Sequence, residues 1–341
     1  MIRATPARQT GLTLVELMIG VGIGLFVTLV IIQIFTEQKT SFRVQEGMAR
    51  VQENARLALD FLGRDARSAG YTGCAKNQEP ANIAKPVGSS WVSFNNAVTG
   101  YSAASLPPGL ASTEVLAGTD VIMFQYADNL NASLTGNLGT VNANIQITQN
   151  PNNVIQTNDI LFITNCAYAD VFRANSVSQG GGTVTITHSS ASNIGNNLST
   201  TYQADSQLMR LATNIYFVAC MDNNNPTSVC SADGPYYLWR KVLSGPNLVA
   251  QDLVEGVENM RIQYGEDVDG NSVADKYVDF DDVGDWSRVV SINLSLLLRT
   301  IEDRLSSTTQ TYTYDGNSVT ATDRRIRRAY TTTLDLRNRT Y

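Results

Sequence analysis

A run without a single charge from Leu17 to Thr36, apolar from Leu12 onward and interrupted only by Glu16, limits this chain more than any other feature. Such a run is long enough to cross a hydrocarbon core of ~30 Å as a helix. Past Phe35 the pattern turns amphipathic instead of stopping. Val44, Met48, Val51, Ala55, Leu59, Leu62, Ala66 and Ala69 recur at three- and four-residue steps, the period of a helix with one apolar face. Glu46 with Arg50, and Asp60 with Arg64, form i,i+4 pairs for the exposed side. No proline falls between Leu12 and Ala69, so the pattern predicts one helix of about 85 Å. The glycines of "SAGYTGC", residues 68 to 74, end it.

The chain then changes character. Residues 76 to 118 are rich in Pro, Ser, Gly and Ala and read as a long connection. Strand-like runs follow at 120–126, 159–165, 182–188, 208–219, 236–243, 257–265, 288–300 and 327–338, separated by polar turns with almost no further helical period. The expected fold class is α+β: a long N-terminal helix, membrane-spanning in its first half and amphipathic in its second, packed on a C-terminal antiparallel β-sheet head. The corresponding segments are 1–11, a leader; 12–36, the membrane or filament-core helix; 37–70, the helix on the head; and 71–341, a β-rich head. The 341 residues are 43% apolar, enough for a real core.

Glu16 is the anomaly of the span, because a carboxylate in lipid is costly unless paired. Before the run stand eleven residues, "MIRATPARQTG", whose only charges are Arg3 and Arg8; positive-inside bias keeps them cytoplasmic and sends everything after residue 36 outward. A cleaved secretory signal has a shorter apolar core followed by a small-residue site. Here the glycine precedes the run. Gly20, Gly22 and Gly24 lie along it, and Gly20 with Gly24 makes a face suited to helix packing in lipid.

"GLTLVELMIG" resembles the class III signal of type IV prepilins and pseudopilins: a basic leader ending in Gly, then an apolar residue, Thr, Leu, an apolar residue and Glu. Leu12 stands where these proteins usually carry Phe. The resemblance implies cleavage between Gly11 and Leu12 by a prepilin peptidase, methylation of the new amino terminus, and Glu16 as fifth residue of the mature chain. The new α-amino group, on a neighbouring subunit, is the implied partner of Glu16. With "RDARSAGYTGC", "FITNCAYADVF" and "TLDLRNR" added, the chain resembles the PilW family of minor pilins, relatives of the GspJ pseudopilins. That implies a non-enzymatic protein of the inner membrane and then the pilus. It also implies a role in priming assembly, a place at the pilus tip, and as partners other minor pilins, the major pilin and the inner-membrane assembly machinery. A secretion pseudopilin and a tip adhesin are the rival expectations. Residues 129 to 205 match no pattern.

A formal charge of −6 with a pI near 4.9 excludes a nucleic-acid partner. Cys74, Cys166, Cys220 and Cys230 contain no CxxC pair, so redox-motif and zinc readings fail on spacing. Four thiols allow three pairings. Cys220 and Cys230 flank a turn-rich run, which leaves Cys74 for Cys166; four free thiols in a reducing compartment is the alternative. In "EDVDGNSVADKYVDFDD", Asp267, Asp269, Asn271 and Asp275 resemble the start of a calcium loop. Ser272 replaces its invariant Gly, Val278 its twelfth-position Glu, and a solvated acidic turn is the competing reading; no other cofactor is expected. The one histidine, His188, cannot build a multi-histidine site, and neither G-x-S-x-G nor a P-loop is present. The triple glycine at 180–182 precedes a strand and reads as a hairpin turn.

Overall fold

The computed structural model describes residues 13–75, 80–84, 96–150, 154–231, 234–245 and 247–339. Gly11, Leu12 and the rest of the leader, together with Trp91, lie outside the described residues.

Helix α1 spans Leu14–Ser68, 55 residues, or about 82 Å. Its two halves differ as the sequence pattern requires. Every Leu, Ile, Val, Met and Phe from Leu14 to Phe35 is at least 41% exposed, whereas Val51, Ala55, Ala58, Leu62 and Ala66 are buried in the head. The i,i+4 pairs Glu46–Arg50 and Asp60–Arg64 close at 2.8 and 2.9 Å on the solvent side. The helix stops where Gly70 takes φ of +77° and donates its N–H to the Gln125 carbonyl. Asn338 Nδ2 reaches back to the carbonyls of Arg67, Ser68 and Ala69, satisfying acceptors that a helix end leaves open.

The strands in chain order are β1 (Ala81–Asn82), β2 (Val98–Ser102), β3 (Asp120–Ser133), β4 (Ile145–Thr148), β5 (Ile160–Thr164), β6 (Ala169–Arg173), β7 (Ser176–Gly180), β8 (Thr183–Thr187) and β9 (Gln207–Asp222). They continue with β10 (Asn225–Thr227), β11 (Tyr236–Ser244), β12 (Asn247–Glu255), β13 (Val257–Glu266), β14 (Lys276–Val278), β15 (Val289–Arg299), β16 (Thr311–Tyr314), β17 (Asn317–Thr320) and β18 (Arg327–Asp335). Strand β9 organises the larger sheet. It pairs with β3 along one edge, and along the other first with β5 and then with β11. A second sheet runs β14-β13-β15-β18. Between the two sheets lies the buried half of α1, and Val51 to Ala69 share one core with Ile122, Phe124, Tyr216, Val218, Leu238, Met260, Ile262, Leu294 and Leu296.

The expected α+β class is what the structure shows, with one departure from antiparallel pairing: β1 runs parallel to β6. Two readings change. The 76–118 connection holds β1, β2 and a 3-10 turn at Ser112–Glu114; β2 is legible only as a partner of β3, because its own alternation covers five residues. The unmatched 129–205 stretch builds a separate three-stranded sheet, β4-β8-β7, with its own core around Ile145, Ile147, Phe172, Ile186 and Tyr202. The triple glycine closes the β7–β8 hairpin with positive φ at Gly181 and Gly182, and His188 is buried beside Phe172 with Nε2 on the Ala143 carbonyl.

Candidate functional site

What the fold presents is a helix gripped at one end and bare at the other. At the gripped end Asp65 is 4% exposed on the apolar face. Its carboxylate accepts hydrogen bonds from Tyr216 Oη at 2.6 Å, Asn214 Nδ2 at 2.7 Å and Tyr126 Oη at 3.2 Å, with an Arg240 guanidinium nitrogen at 3.9 Å. Burial raises the Tyr126 and Tyr216 phenols, and the Asp65 charge raises them further, so both stay donors. Strands β3, β9 and β11 thus converge on one helical carboxylate. Sequence reasoning missed it. The signal was a lone Asp placed among Leu62, Ala66 and Ala69 on the helix's apolar stripe.

Lower on the helix, Asn54 Nδ2 binds the Glu255 carbonyl at 2.9 Å, and Arg43 pairs with Glu302 at 2.8 Å. At Gly47 an added Cβ would meet Leu305 Cδ1 at 2.8 Å. A larger residue there would make the Leu305 side chain of loop 300–306 give way. From Phe42 back to its N-terminus at Leu14 the helix side chains are exposed. Around Gly20, Gly22 and Gly24 nothing lies within 4 Å of a notional Cβ, so the small-residue face is unfilled in the single chain.

Glu16 does not stand alone. Thr13 caps the helix: Glu16 N–H donates to Thr13 Oγ1 at 3.3 Å, and Glu16 Oε2 accepts from Thr13 N at 3.0 Å and Thr13 Oγ1 at 2.9 Å. This is the reciprocal T-x-x-E box that opens helices, present in the sequence as Thr13-Leu-Val-Glu16. The carboxylate also faces the positive end of the helix dipole. Glu16 therefore has a local role in the isolated subunit besides any intersubunit one.

The four cysteines form Cys74–Cys166 and Cys220–Cys230, with no free thiol. The first ties the exit from α1 to the turn after β5. The second closes the β9–β10 hairpin near the β11 start.

The acidic loop gathers Asp267, Asp269 and Asp275, with ligand atoms within 4.8 Å of one another. Asn271 joins them through Nδ2 to Asp269 Oδ2 at 3.0 Å. Much of their acceptor capacity is already used. Asp267 takes the N–H groups of Gly270, Asn271 and Ser272, and Asp275 those of Val268 and Asp269. Burial pushes the Asp267 carboxyl up, but the donors on Ser272, Gly270 and Asn271 outweigh it and hold the group below its ordinary value. Ser272 adopts φ of +68°, the conformation for which calcium loops use glycine. The four residues are brought together, in a loop closed by its own backbone.

Residues 215–338 match the family model PilW, described as type IV pilus-assembly protein W. Over that segment, less than half of its length, the chain is similar to the PilW family. The PilW segment supplies β11, β12, β13, β15 and β18, most of the surface that grips α1. No significant match to a curated protein or to a solved structure was found.

Proposed function

We propose that this PilW-family chain is a minor pilin. Before assembly it is held in the bacterial inner membrane by residues 12–36, with the leader cytoplasmic and the head periplasmic. A prepilin peptidase cuts between Gly11 and Leu12 and methylates Leu12. The subunit then joins other minor pilins to prime the filament and stands at its tip above the major pilin. The observation that supports this reading is the division of α1: one half fully exposed and apolar, the other buried in a PilW head. Lipid already solvates the exposed half, so moving it into a filament core gains packing but no hydrophobic driving force, and extraction must be driven by the assembly machinery. No step calls for enzymatic activity in this chain itself.

Cleavage places an α-amino group about one turn from Glu16. On assembly the carboxylate would exchange its Thr13 contacts for, or share them with, the amino terminus of a neighbour. Glu16→Ala should leave leader removal intact and reduce recovery of the subunit in sheared pili; normal recovery would refute the pairing. Mass spectrometry of the pilus fraction should find a methylated Leu12 at the mature terminus. Deletion that abolishes pili supports priming, while pili that persist but no longer adhere would favour the adhesin reading.

A further inference from the structure

The chain is acidic overall, yet the end of the head nearest the free part of α1 is not. Asp303 Oδ1 accepts the backbone N–H groups of both Arg304 (2.7 Å) and Arg324 (2.9 Å), and Ser306 N–H donates to the Arg324 carbonyl at 3.1 Å. These bonds fasten loop 300–306 to segment 323–328 and set Arg304 beside Arg324. Arg328, opposite Leu298 at the start of β18, continues the same end of the sheet. All three side chains are exposed, and none makes an ion pair among the described residues.

The neighbouring acids are already engaged. Glu302 is held by Arg43 at 2.8 Å, and Asp303 is turned to backbone donors. Glu258 and Asp323 are taken by Arg327 and Arg325 in a half-buried cluster. The positive charge left over therefore faces solvent. Its height is fixed by the helix. Loop 300–306 meets α1 at Gly47, twelve residues past Phe35, or about 18 Å beyond the end of the apolar stretch. Headgroups occupy roughly 5–8 Å outside the hydrocarbon. The remaining gap is about 10–13 Å, up to roughly one and a half Debye lengths at physiological salt, each ~8 Å.

We propose that Arg304, Arg324 and Arg328 are a docking surface for anionic phospholipid headgroups, seating the head on the outer face of the bilayer while the subunit waits for assembly. The assignment rests on the reading of residues 12–36 as a membrane span. That continuity favours lipid over another subunit's acidic surface as the occupant, because the anchor delivers this end of the head to the membrane in every unassembled copy. An arginine at an anionic surface contributes up to about a fivefold preference and less across this gap, so three acting together bias the orientation of a tethered head. Extraction breaks the contact once, without competing with filament packing.

The test uses the full chain in nanodiscs of phosphatidylcholine alone or mixed with phosphatidylglycerol. Since the native cysteines are paired, Ser307→Cys offers a single site for a fluorophore, read by quenching from headgroup-bound spin labels. Quenching should be stronger in the anionic discs. It should fall to the phosphatidylcholine level in 1 M salt and in the Arg304→Glu/Arg324→Glu/Arg328→Glu variant, with the matching glutamine variant intermediate and available should the glutamates impair folding. Equal quenching in both lipids, or full quenching in the variants, overturns the proposal. Full quenching in variants that fail to enter pili would assign the patch to a neighbouring subunit and overturn it equally. A chain that inserts in neither disc, seen by flotation regardless of lipid charge, would overturn the anchor reading itself.

Discussion

Replacing Asp65 with alanine tests the idea that one carboxylate locks the helix to the larger sheet. The substitution removes the acceptor for Tyr216 Oη, Asn214 Nδ2 and Tyr126 Oη. Tyr216 and Asn214 are 0% and 3% exposed, so water cannot readily replace the lost acceptor, and each stranded donor costs about 1–3 kcal/mol. Tyr126 is half-buried and recovers part of its loss from solvent. The Arg240 charge, 3.9 Å away, is left without its nearest anion. The sum is about 4 kcal/mol, in the range for breaking a buried charged network by removing one partner. For a head of this size that corresponds to a fall in Tm of about 8–16 °C. Thermal unfolding of the detergent-solubilised chain, followed by near-ultraviolet circular dichroism, measures it. Asp65→Asn keeps one acceptor oxygen and should lose about half as much. Tyr216→Phe alone should lose about 1 kcal/mol, and in the double variant with Asp65→Ala its effect should largely vanish, because its partner is already gone. A loss below about 1 kcal/mol for Asp65→Ala, or strict additivity with Tyr216→Phe, would refute the account.

Replacing Cys74 and Cys166 by serine should cost nearly 5 kcal/mol by the chain-entropy estimate, against about 3 kcal/mol for the Cys220–Cys230 pair; denaturant unfolding of the two double variants ranks them, and a larger loss for the short loop would contradict the estimate. Burial raises the Asp323 carboxyl, but hydrogen bonding and charge from Arg327, with Arg325 adding to them, depress it well below its ordinary value. Its contribution is therefore present above the unfolded carboxyl's pKa of about 3.9 and lost as pH falls below it. Stability measured down to pH 2 should drop over that window, and Asp323→Asn should flatten the drop. Calcium titrated calorimetrically into the full chain should give heat only in the millimolar range of extracellular modules, given the ligand capacity already spent at Asp267; binding at micromolar calcium would refute the description of a self-closed loop.

The parts of the fold readable from sequence were those with strong period or local chemistry. The periodic face of α1 recurs from Val44 to Ala69, and the eight strand runs carry enough apolar or β-branched residues to declare themselves. What escaped was decided by partners distant in sequence. Strands β2 and β12 are short or largely exposed edges that exist because β3 and β11 offer them backbone groups. Nothing in the sequence around Lys241 marks its partners, yet it is 7% exposed and fastens Glu114 and the Gly109 carbonyl. Asp65 lay in plain sight on the apolar stripe, but three of its four partners are at positions 214 to 240. The Thr13–Glu16 box is fully local and legible in Thr13-Leu-Val-Glu16 itself.

The exit of α1 into the head has a mechanical consequence. The helix is stopped at Ala69 by side-chain bonds from Asn338 and passes at once through Gly70 into contact with β3, while Asp65 holds it sideways to β9. A tension drawn along the helix axis would thus be divided among strands from both sheets, whose hydrogen bonds and packed side chains must slide together and cannot open one after another like a zipper. A head loaded in shear in this way transmits a pull as a rigid body, and the weakest link under force becomes the bare stretch of helix between Phe35 and Arg43, where the Glu302 ion pair first ties it to the head.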